Sequence, residues 1–180
     1  MLTIKIPENE IYDDNEAKFI RQPELTLRLE HSLLSISKWE SVYEKPFLSG
    51  ARMSQPELLY YIQCMRLDDG VIQDLFRMTE KDFARIGEYM NSKNSATTIY
   101  EPPDGSRPPK GETVTSELVY YWMVTFQIPF EAETWHFQRL MALIKICSVK
   151  NSSKKTRPKD VAAQNRALNA QRLAQNGGRG

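Results

Sequence analysis

The sequence predicts an α+β fold, mainly α, with a small N-terminal antiparallel β-sheet packed on a helical bundle and a flexible basic C-terminal tail. Residues 2–6 and 25–29 carry apolar side chains at every second position, which is typical of half-buried strands. From residue 54 to residue 147, apolar side chains recur mainly at helical spacing. We therefore expect one globular domain at residues 1–149 and a tail at residues 150–180.

Residues 1–30 are predicted to form a β-hairpin or meander. The first alternating stretch ends at Pro7, and the polar residues from Glu8 to Glu16 are expected to form a turn or loop. Phe19 and Ile20 can add a short strand before the second alternating stretch. Because an isolated hairpin is marginally stable in water, helices must cover one of its faces.

Residues 31–149 are predicted to be mainly helical. The spacing Ser54 to Glu57 matches a capping box, and Thr79 with Asp82 marks another helix start. Short helices are expected at residues 33–43, which Pro46 ends, and at residues 71–76. Residues 91–113 contain two Pro-Pro pairs with nearby glycines, and this composition predicts a surface loop.

The last two core helices are the most apolar part of the chain. Thr115 or Ser116 is expected to cap the first, whose run LVYYWMVTF is apolar on every side. Such a helix is either fully surrounded or covered on one face by a partner or a second copy. Glu131 and Glu133 are expected to open the second helix, and the short connection predicts antiparallel packing.

The net charge of +1 conceals an uneven distribution. Residues 148–180 contain eight Lys or Arg and one acid, whereas residues 1–147 contain 16 basic and 22 acidic residues. Within the tail, residues 150–159 read as a linker, and residues 160–175 as a segment that can form a helix on a partner. A solvated tail is favoured over phosphate contact. The tail has no aromatic residue to stack on bases, so we expect no sequence-specific binding to nucleic acid.

The sequence shows no pattern typical of an enzyme or a cofactor site. Cys64 and Cys147 lack a CxxC or Cys/His context and are expected to be buried free thiols. His31 and His136 are interpreted as packing residues rather than metal ligands. The acidic pairs Asp13-Asp14 and Glu131/Glu133 fit turns or helix starts better than acid–base chemistry. Neither a signal peptide nor a membrane span is expected.

Three stretches carry a resemblance to a known family. They are LTLRLEHSLLSISKWESVYEKPFL at 25–48, SELVYYWMVTFQIPFEAETWHFQRLMALIKICSVKNS at 116–152 and NRALNAQRLAQNGGRG at 165–180. Together they resemble small proteins encoded among the tail genes of long-tailed siphophages, which are often described as tail assembly chaperones. The clusters HSLLSISKWE, YYWM, IPFE and WHFQRL are the most specific part of the likeness.

The resemblance implies a protein that acts in the host cell cytoplasm and binds the phage tape-measure protein during tail assembly. The candidate contact residues that it implies are Trp39, Tyr121, Trp122 and Trp135, with Arg166, Leu168 and Arg172 in the tail. The residues alone favour core packing for the aromatic side chains, with a binding surface as the alternative. A different class also remains open, namely a virion protein of the head–tail junction or tail whose C-terminal arm contacts a neighbouring subunit.

Overall fold

The computed structural model describes residues 1–14, 16–50, 52–97, 113–151 and Arg166. Its N-terminus is an antiparallel ribbon, two chains wide, that consists of two successive strand pairs. The four strands of this ribbon are β1 (Leu2–Ile6), β2 (Asn9–Asp13), β3 (Lys18–Gln22) and β4 (Leu25–Leu29). Strand β1 pairs with β4, and β2 pairs with β3. The helices follow the ribbon, so the predicted mainly helical α+β fold class is confirmed.

The two strand pairs share one register. Leu2 lies opposite Leu29 and Asn9 lies opposite Gln22, so the same offset continues from one pair into the next. Pro7 and Pro23 lie between the pairs, and proline has no N–H to donate to a ladder. The base (β1 and β4) and the arm (β2 and β3) are therefore two halves of one interrupted ribbon.

The arm corrects one expectation. The predicted turn or loop at Glu8–Glu16 is wrong for Asn9–Asp13, which is strand β2. Polar composition disfavours a strand locally, but pairing with Lys18–Gln22 supplies the cross-strand contacts that decide strand formation. The short strand expected around Phe19 and Ile20 is present as β3.

The base of the ribbon contributes one wall of the core. Ile4, Ile6, Leu27 and Leu29 are buried on one face, as the alternation predicted. The chain leaving the second helix then runs beside β4, because the Leu67 N–H donates to the Arg28 carbonyl at 2.9 Å. Every residue of the arm, in contrast, is exposed or half-exposed.

The described part of the chain contains the following helices. The α-helices are α1 (Leu33–Tyr43), α2 (Gln55–Met65), α3 (Glu80–Asn91), α4 (Ser116–Thr125) and α5 (Phe137–Asn151). Short 3-10 helices cover Phe47–Ser49, Ile72–Arg77 and Phe130–Thr134. Helix α1 lies centrally. Helices α2 and α4 pack against it, and so do the 3-10 helices Phe47–Ser49 and Phe130–Thr134.

The predicted helix starts at Ser54 and Thr79 are confirmed. The N–H and the hydroxyl of Ser54 both donate to the Glu57 carboxylate, at 2.7 and 2.9 Å. Thr79 makes the same pair of bonds to Asp82, at 2.9 and 2.8 Å. Each acidic side chain thereby satisfies the donors that precede its helix and places negative charge at the positive helix end.

The last two helices differ from expectation. Residues Glu131 and Glu133 belong to the 3-10 helix Phe130–Thr134, and α5 begins only at Phe137. The extended backbone of Trp135 separates the 3-10 helix from α5, and Pro129 precedes the 3-10 helix. Helix α4 packs mainly on α1 rather than as an antiparallel hairpin with α5. It is also not surrounded, because Tyr121 and Val124 are exposed.

Two predicted segments fall largely outside the described residues. For the loop predicted at 91–113, the structure describes the end of α3 at Asn91 and residues on either side of 98–112. For the tail predicted at 150–180, it describes Lys150 and Asn151, which are still part of α5, and Arg166.

A buried carboxylate joins three separate segments. Glu40 on α1 accepts a hydrogen bond from the Phe47 N–H at 2.8 Å and from the Ser116 N–H at 2.7 Å. Its side chain therefore serves as the acceptor for the first turn of α4, where backbone N–H groups have no partner within the helix. The charge also lies at the positive end of the α4 dipole.

Replacing Glu40 with Ala should lower the free energy of unfolding by about 3 kcal/mol, because two buried N–H donors lose a charged acceptor. Glu40→Gln keeps one acceptor oxygen and should cost roughly half as much. Urea denaturation measures both. Glu88 on α3 is exposed, and Glu88→Ala provides the control, with an expected change within about 0.5 kcal/mol. Equal stability of Glu40→Ala and Glu88→Ala would contradict this role.

Gly70 fits closely against a buried guanidinium. The Arg66 side chain is almost fully enclosed and contacts Asp74 Oδ2 and the Val71 carbonyl, both at 3.0 Å. A Cβ added at Gly70 would overlap this guanidinium. Because both contacts fix the arginine, it has little room to move away.

Gly70→Ala should therefore destabilise the protein by about 2 kcal/mol through overpacking. Gly87 is the matched control, since a Cβ there meets no atom within 4 Å and the residue lies in α3. Gly87→Ala should stabilise by roughly 0.5–1 kcal/mol, as expected for glycine in a helix. Thermal or urea unfolding of both variants tests the pair, and changes of the same sign would refute the packing argument.

Candidate protein-binding surfaces

Trp39 lies in the core rather than on the surface. Its side chain is 3% exposed, and its indole N–H donates to the Glu57 carbonyl at 3.0 Å. The ring centroid lies 4.9 Å from that of Tyr43 and 5.3 Å from that of Phe47. The expectation that Trp39 contacts a partner is therefore wrong for this fold, because its contacts are already made within the chain.

Helix α4 presents apolar side chains to solvent. Val119 and Met123 face α1 and are buried, whereas Tyr121 is 63% and Val124 is 59% exposed. Tyr121 and Val124 are three residues apart, so they share one side of the helix. Trp122 is half-buried and packs against the core. Of the four aromatic candidates, Tyr121 is thus the most accessible.

The segment after α4 carries two further exposed aromatic side chains. The Tyr120 hydroxyl donates to Glu133 at 2.7 Å, and its ring lies 6.2 Å from that of Phe130. These contacts fix the 3-10 helix beside α4, and both elements pack on α1. Phe130 and Trp135 are exposed on this segment. We name Tyr121, Val124, Phe130 and Trp135 the α4 surface.

Trp135 also has a charged neighbour. The guanidinium of Arg139 lies 4.5 Å from the centre of the indole ring, which is a cation–π arrangement. This contact restricts the indole while leaving part of its surface accessible, so a partner would meet a partly ordered aromatic group. An aromatic residue of this kind loses little conformational entropy on binding.

The three candidates in the tail are described only in part. Arg166 is helical and exposed, whereas Leu168 and Arg172 lie outside the described residues. Of these three candidates, the structure therefore places only Arg166.

The arm is a second exposed apolar surface, which the sequence analysis missed. Tyr12 and Phe19 face each other across the strands with ring centroids 5.1 Å apart, and they are 52% and 71% exposed. Ile11 and Ile20 form the neighbouring pair and are also exposed. Adjacent residues of a strand point to opposite faces, so each face of the arm carries one apolar pair. Two apolar pairs placed symmetrically about a polar turn are the signal that could have revealed this hairpin.

A buried histidine pair lies just beyond the C-terminal end of β4. The rings of His31 and His136 are 5.4 Å apart, although the two residues are far apart in the sequence. His31 Nδ1 shares a hydrogen bond with the Tyr61 hydroxyl at 2.5 Å, and His136 Nε2 lies 3.0 Å from the Tyr89 carbonyl. A carbonyl only accepts, so His136 Nε2 donates.

Burial governs the protonation of this pair. Burial, together with the smaller effect of the nearby His136, lowers the pKa of His31 to about 4. Burial also lowers the pKa of His136, against the opposing effects of its bond to Tyr89 and of Glu30. Both imidazoles are therefore neutral at pH 7. Among the described residues, no group of three His, Cys, Asp or Glu side chains is arranged to hold a metal ion.

Two open grooves share Tyr60: the smaller lies between α1 and α2, and the larger lies mainly between α2 and the 3-10 helix Ile72–Arg77. The larger has a volume of about 440 Å³ and includes Tyr43, Ile72 and Phe76, and the smaller has about 280 Å³ and includes Lys38 and Cys64. Neither is lined by a carboxylate or a histidine. Burial raises the pKa of the Cys64 thiol, which makes it a poor nucleophile.

The cysteine prediction is confirmed in one respect and corrected in another. Cys64 and Cys147 are free thiols, as expected, but each is partly rather than fully buried.

None of the helices in the described part of the chain combines the length and the apolar composition that crossing a bilayer requires.

Comparison of the chain with models of protein families, with curated proteins and with solved structures found no match.

The histidine pair predicts a loss of stability at acidic pH. The unfolded chain binds protons on His31 below about pH 6.5, whereas the folded chain does so only near pH 4. Stability is therefore fully present above pH 6.5 and is lost as the pH falls towards 4, by about 2 kcal/mol between pH 7 and pH 5 from His31 alone. Urea unfolding at several pH values measures this slope.

His31→Gln removes the titrating group, so its unfolding free energy should change less between pH 7 and pH 5 than that of the unchanged protein. This comparison of slopes holds even if the variant is less stable throughout. A variant with an unaltered slope would show that another group causes the pH dependence.

Proposed function

We propose that the protein is a tail assembly chaperone of a long-tailed bacteriophage, which binds the tape-measure protein in the host cell cytoplasm. The observation that carries the proposal is the exposure of Tyr121 and Val124 on a helix whose sequence is apolar on every side. Exposed apolar groups that adjoin one another are typical of protein-binding surfaces. The resemblance of residues 116–152 to siphophage tail-gene proteins points to the same role.

The α4 surface suits an apolar helical partner. A tape-measure protein is a long helical chain with apolar stripes, and it must be kept from aggregating until the tail tube encloses it. A helix laid along α4 would bury its stripe against Tyr121, Val124, Phe130 and Trp135, as in helix-in-groove recognition. The fixed backbone of α4 and its neighbour means that little ordering is needed on binding.

The proposed activity is binding rather than catalysis, and it uses neither a cofactor nor a metal. Trp122 is half-buried and packs against the core, and Trp39 on α1 is part of that core. Arg166, Leu168 and Arg172 are proposed to add contacts at the edge of the complex, where basic side chains can pair with acidic groups of the partner.

Tyr121→Ala should weaken binding to the tape-measure protein about tenfold or more, since an aromatic residue within an interface commonly contributes this much. Phe76→Ala is the matched control, because Phe76 is equally exposed but lies on the 3-10 helix Ile72–Arg77. Co-expression, co-purification and titration calorimetry measure the two affinities, and circular dichroism verifies folding. Similar affinities for both variants would reject the α4 surface as the binding site.

A second candidate function is a structural role in the virion, at the head–tail junction or in the tail. The projecting arm favours it, because narrow ribbons of this kind can pack between neighbouring subunits of an assembly. Under this alternative the C-terminal tail also contacts a neighbour, and the protein is a homo-oligomer within the particle.

Quantitative mass spectrometry of purified particles and of infected-cell lysate separates the two functions. A chaperone should be abundant in the lysate and absent from particles. A structural protein should be present in particles at a fixed copy number, and that result would overturn the chaperone.

A further inference from the structure

The α4 surface lies in a part of the chain whose charges are all negative. Residues 113–138 contain no Lys or Arg and three acidic residues, which are Glu117, Glu131 and Glu133. Glu117 and Glu131 are exposed, and Glu133 is half-buried. The ion pairs found among the described residues involve none of these three carboxylates. The negative charge beside the α4 surface is therefore not neutralised by an ion pair within the described fold.

Helix α4 places one carboxylate beside its exposed apolar side chains. Glu117, Tyr121 and Val124 are spaced by four and three residues, so they lie along one side of the helix. All three are exposed, whereas Val119 and Met123 on the opposite side are buried. A molecule that binds along this side of α4 meets apolar groups with a negative charge at their N-terminal end.

The other two carboxylates lie beside the 3-10 helix that follows α4. Tyr120 precedes Val124 by four residues, so these two side chains adjoin on the helix. The Tyr120 hydroxyl donates to Glu133 at 2.7 Å, and its ring lies 6.2 Å from that of Phe130. Glu131 follows Phe130 in the same 3-10 helix. The apolar side chains of the two elements are thus connected through Tyr120, and carboxylates border them at both ends.

An apolar centre with an acidic edge specifies the chemistry of its partner. A helix that lies along α4 contacts it over about 15 Å, since α4 has 10 residues. Over this length, apolar side chains three and four positions apart can cover Tyr121 and Val124. Lys or Arg at the flanking positions can reach the carboxylates. Complementary charge at the edge of an interface speeds association and disfavours partners of the wrong charge.

The same acidic edge disfavours a second copy of the chain on this surface. Two-fold pairing would place the exposed side of α4 against itself, because the same patch of both copies forms such an interface. The carboxylates of the two copies would then lie within one small contact area, and like charges in an interface oppose association.

The other exposed surfaces of the described chain suit a basic helix less well. The smaller groove includes Lys38, and neither groove is lined by a carboxylate. The arm also carries acidic residues, but a two-stranded hairpin is marginally stable in water. Its base is fixed where Arg77 Nη2 donates to the carbonyls of Pro7 and Pro23, at 2.8 and 2.9 Å. Beyond this point its strands pair with each other, whereas α4 packs on α1.

We propose that the α4 surface binds an amphipathic helix whose apolar stripe is flanked by Lys or Arg. The stripe covers Tyr121, Val124 and Phe130, and the basic side chains pair with Glu117 and Glu131. This inference rests on the proposed function and specifies which segment of a long helical partner is bound. Segments whose apolar stripe is flanked by acidic residues are excluded by repulsion at the edge.

Three synthetic peptides of about 18 residues, which is α4 plus one turn at each end, test this chemistry against the full chain. They share one leucine stripe at helical spacing and carry Lys, Gln or Glu at the flanking positions. Titration calorimetry should give the Lys peptide a Kd about tenfold lower than that of the Gln peptide in about 0.05 M NaCl. The difference should shrink in about 0.5 M NaCl, because salt screens exposed charges. Equal affinities of the Lys and Gln peptides, or no binding of the Lys peptide, would overturn the proposal.

Substitution of the carboxylates locates the effect of charge. Glu117→Gln/Glu131→Gln should reduce the preference for the Lys peptide to about threefold or less. The matched control is Glu80→Gln/Glu88→Gln on α3, because both residues are exposed and Glu80 lies in the first turn of its helix, as Glu117 does. An equal loss of preference in the control would show that the total charge of the protein attracts the peptide, and would refute the proposal.

Apolar substitutions distinguish the α4 surface from the arm. Tyr121→Ala should weaken binding of the Lys peptide about tenfold. Phe19→Ala shortens a similarly exposed aromatic side chain on the arm and should leave this affinity unaltered. The reverse result would place the peptide on the arm and overturn the proposal. A dimer, detected by light scattering, that Tyr121→Ala dissociates would assign the surface to a second copy, with the same consequence.

Two outcomes separate this inference from the proposed function. If the full chain co-purifies with the tape-measure protein but shows no preference for the Lys peptide, the inferred chemistry is wrong and the proposed function stands. If it prefers the Lys peptide but does not capture the tape-measure protein, the inferred chemistry stands and the proposed function is wrong.

Discussion

The buried carboxylate of Glu40 anchors the start of α4, the most apolar helix among the described residues. Taking a carboxylate out of water costs several kcal/mol unless hydrogen bonds replace its hydration. Glu40 meets this requirement with the N–H groups of Phe47 and Ser116, and so it connects α1 to the 3-10 helix Phe47–Ser49 and to the start of α4. Because α4 is held at its N-terminus by this contact, it does not need to bury its whole apolar circumference. Tyr121 and Val124 can remain outside.

Local patterns predicted the elements better than they predicted their arrangement. The caps at Ser54 and Thr79 depend on residues three positions apart, and alternation in β1 and β4 depends on neighbours two positions apart, so the sequence reveals both. The link from Glu40 to Ser116 spans 76 residues. A contact between residues so far apart produces no recurring spacing in the sequence. Any buried residue with an acceptor oxygen could take the place of Glu40 without changing the apolar pattern.

The candidate site was predicted only in outline, for the same reason. A run that is apolar on all sides does not indicate which face meets the core, so periodicity could not separate Tyr121 from Val119. Trp39 carried the same aromatic signal as Trp135, yet one indole is enclosed and the other is accessible. Their difference arises from the packing of α1 at the centre of the fold. The arm was missed because Ile11 and Tyr12 point to opposite faces and never alternate with polar residues.

The two exposed surfaces differ in physical character, which bears on what each can bind. The α4 surface rests on a helix fixed by Glu40, by Tyr120 and by packing on α1, so it changes little when a partner arrives. The arm has a fixed base at Arg77 but only its own cross-strand pairs beyond it. A rigid surface favours affinity for a long apolar partner, whereas a marginal hairpin gains stability from whatever covers it.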